Sequence, residues 1–256
     1  MLSKRFGARC AAVGIFLVLT MVAIGCRADE PGQEQIDARL LDAVRRGDLN
    51  ACEQALNQGA SIHAIDAQGN NAVLNAVEGQ QPVLLRRFLE QGVDPNVRGG
   101  SGFTPLTRAA MNADLQSLHW LLAAGADPNR KNVLGNAPLH LAVQFHHPAV
   151  LDALAAAGAR LDETNATGET ALVVAIRNAD QPAFDRLLAL GANPVVRDRS
   201  GCSALFWAIY ENQHDMALKL AKHGALGDTR CHDGGYTPRQ LAEFLSYDDV
   251  LSALSK

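Results

Sequence analysis

The chain has 256 residues, of which 48% are hydrophobic and 20% charged, with a formal net charge of −4 and few aromatics. This composition suits a soluble globular body, and the length allows one or two domains. The acidic balance leaves no basic stripe, which argues against nucleic acid or anionic lipid headgroups as partners.

Residues 1–25 read as a segment apart. Lys4, Arg5 and Arg9 precede a run from Ala11 to Gly25 that carries no charge, a positive start followed by an apolar stretch. That order is an export signal, and the run falls short of the roughly 20 residues a helix needs to span a bilayer. Val22-Ala23-Ile24-Gly25-Cys26 then resembles the lipobox of bacterial lipoproteins, with Ala23 where that motif usually has leucine. The resemblance implies that Cys26 receives lipid and becomes the new N-terminus. Arg27, where aspartate would signal inner-membrane retention, implies the outer membrane. Ordinary signal-peptidase cleavage beside Ala23, Gly25 or Ala28, giving a soluble periplasmic protein, is the alternative. Residues 26–33 would be the lipidated cysteine and a polar tether; the stretch 27–34 reaches at most roughly 25 Å when extended. Loss of the three leader cations leaves a mature charge of about −7.

From residue 34 onward glycine returns with a step of 33 residues: Gly59, Gly92, Gly125, Gly158, Gly191 and Gly224 in one series, and Gly69, Gly102, Gly135, Gly168 and Gly201 in a second. A fixed step of this size means one supersecondary unit copied and stacked. Thr104-Pro105 and Thr237-Pro238 read as helix starts, threonine capping the first free amides and proline preset for the first turn. Alanine recurs at Ala43, Ala76, Ala109, Ala142, Ala175, Ala208 and Ala242, where two helices must approach closely. A second apolar stretch, as in Leu118, Leu121 and Leu122, stops at Gly125, since glycine accepts the positive φ that ends a helix. The unit is therefore helix, turn, helix and a hairpin-like loop.

The Gly-x-Thr-Pro-Leu and Gly-Ala-Asp-x-Asn phrases in this register resemble the ankyrin repeat over residues 34–256. The resemblance implies an all-α ankyrin-repeat solenoid of about seven helix-turn-helix units joined by hairpin loops, beginning near Glu34, Asp66, Gly99, Asn132, Asn165, Asp198 and Arg230. The first unit lacks the hairpin and the last carries Gly234-Gly235, as end units meeting water should differ. Ala72, Ala171 and Ala204 replace the proline of the helix start, and His140 faces Ala137 instead of threonine. Stability is therefore expected to rest on leucine and alanine packing more than on polar networks.

Chemistry is sparse. Cys52 is placed among apolar positions of a second helix and reads as a small buried hydrophobe. Cys202 and Cys231 lie in consecutive hairpin regions, where they form either a disulfide or two unpaired thiols. Cys231-His232-Asp233 puts reactive groups together, but adjacent residues do not converge on one metal, and His146-His147 reads as structural. No nucleophile elbow, phosphate loop or His-Glu-x-x-His occurs. Neither catalysis, cofactor nor metal is expected, hydrolysis at Cys231 being the minority reading.

What remains is a surface. In the ankyrin register, hairpin tips and the exposed ends of first helices line a concave face. The corresponding residues are Phe103, Met111 and Asn112; Val133, Leu134, Asn136, Gln144 and Phe145; Glu169, Arg177 and Asn178; and Arg199, Tyr210 and Glu211. Six of these are large and apolar or aromatic, the mark of a partner site; Val133 and Leu134 alternatively pack on the next hairpin, and Trp207 belongs either to the patch or to the core. The resulting expectation is a monomeric, non-enzymatic protein-binding module exported to the bacterial envelope, with an unidentified protein as its partner and contact with the membrane only through the lipid. Exported ankyrin proteins also resemble immunity-type inhibitors of periplasm-delivered toxins and periplasmic accessories in peroxide defence, the alternatives within this class.

Overall fold

The computed structural model describes residues 32–228, 230–231 and 235–255. Among them the chain is all-α, with two isolated β-bridges, Thr164 with Thr170 and Arg197 with Ser203, at hairpin bases. The helices form seven consecutive pairs: α1 Gln33–Arg46 with α2 Leu49–Asn57, α3 Ala72–Glu78 with α4 Pro82–Glu90, α5 Pro105–Met111 with α6 Leu115–Ala123, and α7 Pro138–Gln144 with α8 Pro148–Ala156. The series continues with α9 Ala171–Arg177 and α10 Gln181–Ala189, α11 Ala204–Tyr210 and α12 His214–Lys222, and α13 Pro238–Phe244 and α14 Asp248–Ala253. The export segment and Cys26 lie outside the described residues.

Local chemistry sets the helix starts. Asn71, Thr104, Thr170, Ser203 and Thr237 each accept the backbone N–H three residues on, so one of the free amides in the first turn of α3, α5, α9, α11 and α13 is satisfied by a side chain. In the second helices Asp48, Asp114 and Asp180 do the same work, whereas α4 and α8 open on Pro82 and Pro148, which have no amide to satisfy. The turn inside the first pair passes through the left-handed region at Gly47, and in the six pairs that follow at Gln80, Ala113, His146, Ala179, Asn212 and Ser246, without glycine, a local cost the packing must overcome. Gly125, at φ 88°, ends α6 in the same region without that cost.

Packing explains the recurrent alanine. Ala43, Ala76, Ala109, Ala142, Ala175, Ala208 and Ala242 are all buried, and each first helix lies against the first helix of the next unit. Second helices pack on one another less extensively, so the first helices form the tighter, inner row. One main apolar core runs through the stack, from Leu40 and Leu41 in the first unit to Val250 in the last, with a smaller cluster of Cys202, Phe206 and Cys231 beside it. Cys52 is buried in the main core, and burial pushes its thiol pKa up.

The hairpins are tied by residues that open each unit. Asp66, Asn132, Asn165 and Asp198 use one side-chain oxygen to accept the amides two and four residues on. Neighbouring hairpins then zip together, Val133 N donating to Gly102 O at 3.0 Å, Ala166 N to Leu134 O at 3.3 Å, and Arg199 N to Thr167 O at 3.1 Å. Lys131 Nζ reaches Thr164 O at 2.6 Å, one repeat ahead.

Among units 2 to 7, unit 4 is the exception at the start of its first helix. Ala137 offers no cap, and although His140 Nε2 contacts Glu169 O at 3.0 Å, its Nδ1 is buried without a hydrogen-bond partner. Burial lowers the His140 pKa and favours the neutral ring. Ala137→Thr is expected to supply the missing cap and give Nδ1 a partner, raising stability by about 1 kcal/mol in urea denaturation. An unchanged midpoint would show that the ring and the new hydroxyl do not meet.

Candidate functional site

Six of the surface residues read from the sequence line one cleft on the inner row of units 4 to 6. Asn136, Gln144, Glu169, Arg177, Asn178 and Glu211 surround an opening of about 350 Å³. The repeat places them there: Gln144 and Arg177 each stand two residues after the buried alanine of their helix, so they project from the same corner of successive units.

The floor of this cleft is electrostatically organised. Glu169 is buried, which corrects its assignment as an exposed contact. Its carboxylate accepts from Arg177 Nη1, from Asn165 Nδ2 at 3.2 Å and from Thr167 Oγ1 at 2.9 Å. Burial pushes the Glu169 pKa up, yet these hydrogen bonds and the Arg177 charge outweigh it and hold the carboxyl below its ordinary value. Arg177 also lies 3.9 Å from Glu211 and places its guanidinium 5.0 Å from the centre of the Trp207 ring. Trp207 is fixed in turn, its indole N–H donating to Asp198 at 2.8 Å. It is half-buried and packs against the core, so it belongs to both patch and core.

The apolar residues divide. Val133 and Leu134, each 62% exposed, Phe145 at 43% and Tyr210 at 62% face solvent. Val133 leans on the preceding hairpin, its methyls occupying the space beside Gly102, and stays exposed. Phe103 and Met111 are half-buried, a correction to their placement in the exposed patch: the Arg108 guanidinium covers the Phe103 ring at 4.3 Å, and the Met111 carbonyl binds His147 Nε2 at 3.0 Å. Asn112 and Arg199 are exposed but do not line the cleft.

Sequence reading missed the last unit. Phe244, 82% exposed, stands two residues after Ala242 as Tyr210 does after Ala208, and Leu245 and Tyr236 are exposed beside it in sequence register. That offset was the available signal. Phe206 and Tyr210 stack at 5.8 Å, and Trp207 meets both edge-on. The surface therefore runs from a polar cleft in units 4 to 6 to an aromatic end in units 6 and 7.

Reactive groups are engaged elsewhere. The structure joins Cys202 to Cys231 in a disulfide with Cα atoms 4.3 Å apart, so the Cys231 sulfur is not a free nucleophile. His232 and Asp233 lie outside the described residues. His146 Nδ1 contacts Asp180 Oδ2 at 2.7 Å, and no cluster of three metal-ligating side chains occurs among the described residues. None of the described helices is long and apolar enough to cross a membrane.

A stack of helix pairs presenting a continuous inner surface defines a solenoid scaffold for protein–protein interaction. The chain belongs to the ankyrin repeat family: the model described as "Ankyrin repeats (3 copies)" matches residues 40–132, 111–198 and 139–233. Among curated proteins, the chain is similar to the mitochondrial disaggregases of Bos taurus, 26% identical, and Homo sapiens, 25% identical, each over 108 residues. The matched stretch is 42% of this chain and 15% of each relative, so the chain covers only a small part of the relatives' length.

Proposed function

We propose that this protein is a non-enzymatic binding module of the bacterial envelope whose inner surface, from the cleft at Arg177 to Phe244, receives one protein partner. The observation that carries the reading is the run of solvent-facing Phe145, Tyr210 and Phe244 beside a cleft in which Arg177 is paired with Glu169. Exposed aromatic anchors on a rigid support bind with little ordering cost. Export is supported by the order of charge, apolar run and Cys26 in the sequence, and by the cysteine pair, since such bonds persist in oxidising compartments. We place the mature chain on the periplasmic side of the outer membrane, held there by lipid at Cys26.

Capture from envelope extract with immobilised mature protein tests this. Phe145→Asp and Phe244→Asp are each expected to weaken recovery of the same partner at least tenfold, about 1.4 kcal/mol, while the thermal midpoint moves by no more than a few degrees because both rings are exposed. Recovery of that partner by both variants at wild-type level would refute the assigned face. Growth of the organism in labelled palmitate would separately test Cys26, whose replacement by serine should abolish the label.

A further inference from the structure

The disulfide sits beneath the aromatic end of the inner surface. Cys202 and Cys231 are buried and, with Phe206, form a small apolar cluster of their own against which Trp207 and Leu241 pack. Phe206 carries Tyr210 on its face, and Trp207 closes the corner between them. Tyr210 thus rests on the sulfur bridge through one intervening layer, and Leu241 of α13 packs on the same cluster.

Unit 7 is otherwise held mostly by partly buried residues, Leu241, Tyr247, Leu251 and Leu254, packed on the end of the core. In α13 only Pro238 and Ala242 are buried, and in α14 only Val250, whereas α11 alone buries Ala204, Leu205, Phe206, Ala208 and Ile209. Its side-chain ties to unit 6 are exposed, Tyr247 Oη to Asn212 at 2.5 Å, His214 Nε2 to Asp249 at 2.9 Å and Arg239 Nε to Asp228 at 2.9 Å, beside one backbone bond from Arg239 N to Gly227 O at 2.9 Å. Exposed pairs of this kind hold an end unit weakly. In a stack stabilised by neighbour contacts, the terminal repeat is the first to open.

We propose that the Cys202–Cys231 bond is a redox latch on the partner-binding face, holding unit 7 and its Tyr236 and Phe244 in place when oxidised and releasing them when a dithiol reductant opens it. In the chemical step a thiolate of the reductant attacks one cysteine sulfur, the S–S bond breaks, and the displaced cysteine thiolate takes up a proton. The second thiol of the reductant, as its thiolate, resolves the mixed disulfide and the other cysteine is protonated. Two electrons and two protons pass to the protein, and the reductant leaves as a disulfide. Because both sulfurs are buried, attack awaits transient opening of unit 7.

The latch rests on the reading of the inner surface as a partner site, but its test does not use the partner. The mature chain, folded and oxidised, is treated with dithiothreitol, thiol formation is counted by mass, and amide exchange is compared in the two states. Exchange across 238–253 is expected to rise at least tenfold on reduction, with α3 to α8 unchanged. In a Trp120→Phe background, which leaves Trp207 as the sole indole, emission is expected to shift to the red as its neighbours loosen. Equal exchange in 238–253 with both thiols free would overturn the proposal. So would a rise spread over the whole chain, because the bond would then be a global brace. The Cys202→Ser/Cys231→Ser variant should reproduce the reduced state; reduction of wild-type protein already folded decides the matter if that variant does not fold. Loss of capture by Phe145→Asp in the oxidised protein reports on the binding face alone, so the two readings fail separately.

Discussion

Replacement of Leu139 by aspartate is expected to remove more than about 4 kcal/mol of stability and to break the stack in its middle. Leu139 is 1% exposed, on α7 at the centre of the chain. The substitution deletes a leucine side chain from a packed site, itself worth about 2–5 kcal/mol, and leaves a carboxylate with no partner. In a repeat array the damage is not confined to one unit: a failed centre uncouples the units on either side, each half then losing the neighbour that covered its apolar face. Urea denaturation followed by circular dichroism should show either two separated transitions or loss of helicity without denaturant. A single transition within 1 kcal/mol of wild type would mean that the apolar core through unit 4 does not hold the stack together.

The second expected result concerns the cleft. Arg177→Ala should cost about 2 kcal/mol at pH 7, less than the 3–5 kcal/mol typical of a fully buried pair because Arg177 is half exposed and Asn165 and Thr167 still hold Glu169. The pH dependence gives the sign. In the wild type the folded Glu169 carboxyl lies below its ordinary value, so its contribution is present above the unfolded pKa, near 4.3, and is lost as pH falls through the folded one. Without Arg177, burial becomes the dominant influence and drives the carboxyl pKa up. The variant should therefore be penalised at pH 7 and relieved near pH 4, where Glu169 takes a proton. Denaturation at both pH values checks this, and Glu169→Gln in the Arg177→Ala background should recover most of the loss. An equal cost at pH 4 and pH 7 would assign the effect to lost contact with Trp207 instead.

Much of the fold was legible because the repeat puts the same demand on the chain at each step. Thr104 and Thr237 cap helices where Thr-Pro stands, Gly125 takes the left-handed turn that ends α6, and the alanine series is buried along the inner row. Register alone also brought Asn136, Gln144, Arg177, Asn178 and Glu211 to one cleft. The hairpin ties were equally periodic, at Asp66, Asn132, Asn165 and Asp198, but their role depends on an oxygen turned back to two amides, which spacing does not express.

Where side chains from different units compete for one place, the sequence was silent. Glu169 occupies a hairpin position that reads as exposed, yet Arg177 on the following helix and Asn165 before it draw the carboxylate inward. Phe103 and Tyr210 are both aromatic and differ in exposure: the Arg108 guanidinium lies over the Phe103 ring, whereas Tyr210 packs on Phe206 and Trp207 and stays 62% exposed. The Cys202–Cys231 bond crosses 29 positions and depends on how the last unit is seated on the sixth. By itself the sequence determined the unit, its copies and the edge of each unit that faces inward, since these follow from backbone geometry repeated every 33 residues. Only the tertiary structure decided which residues on that edge remain open to a partner, because exposure is set by neighbours one repeat away whose reach and charge differ from unit to unit.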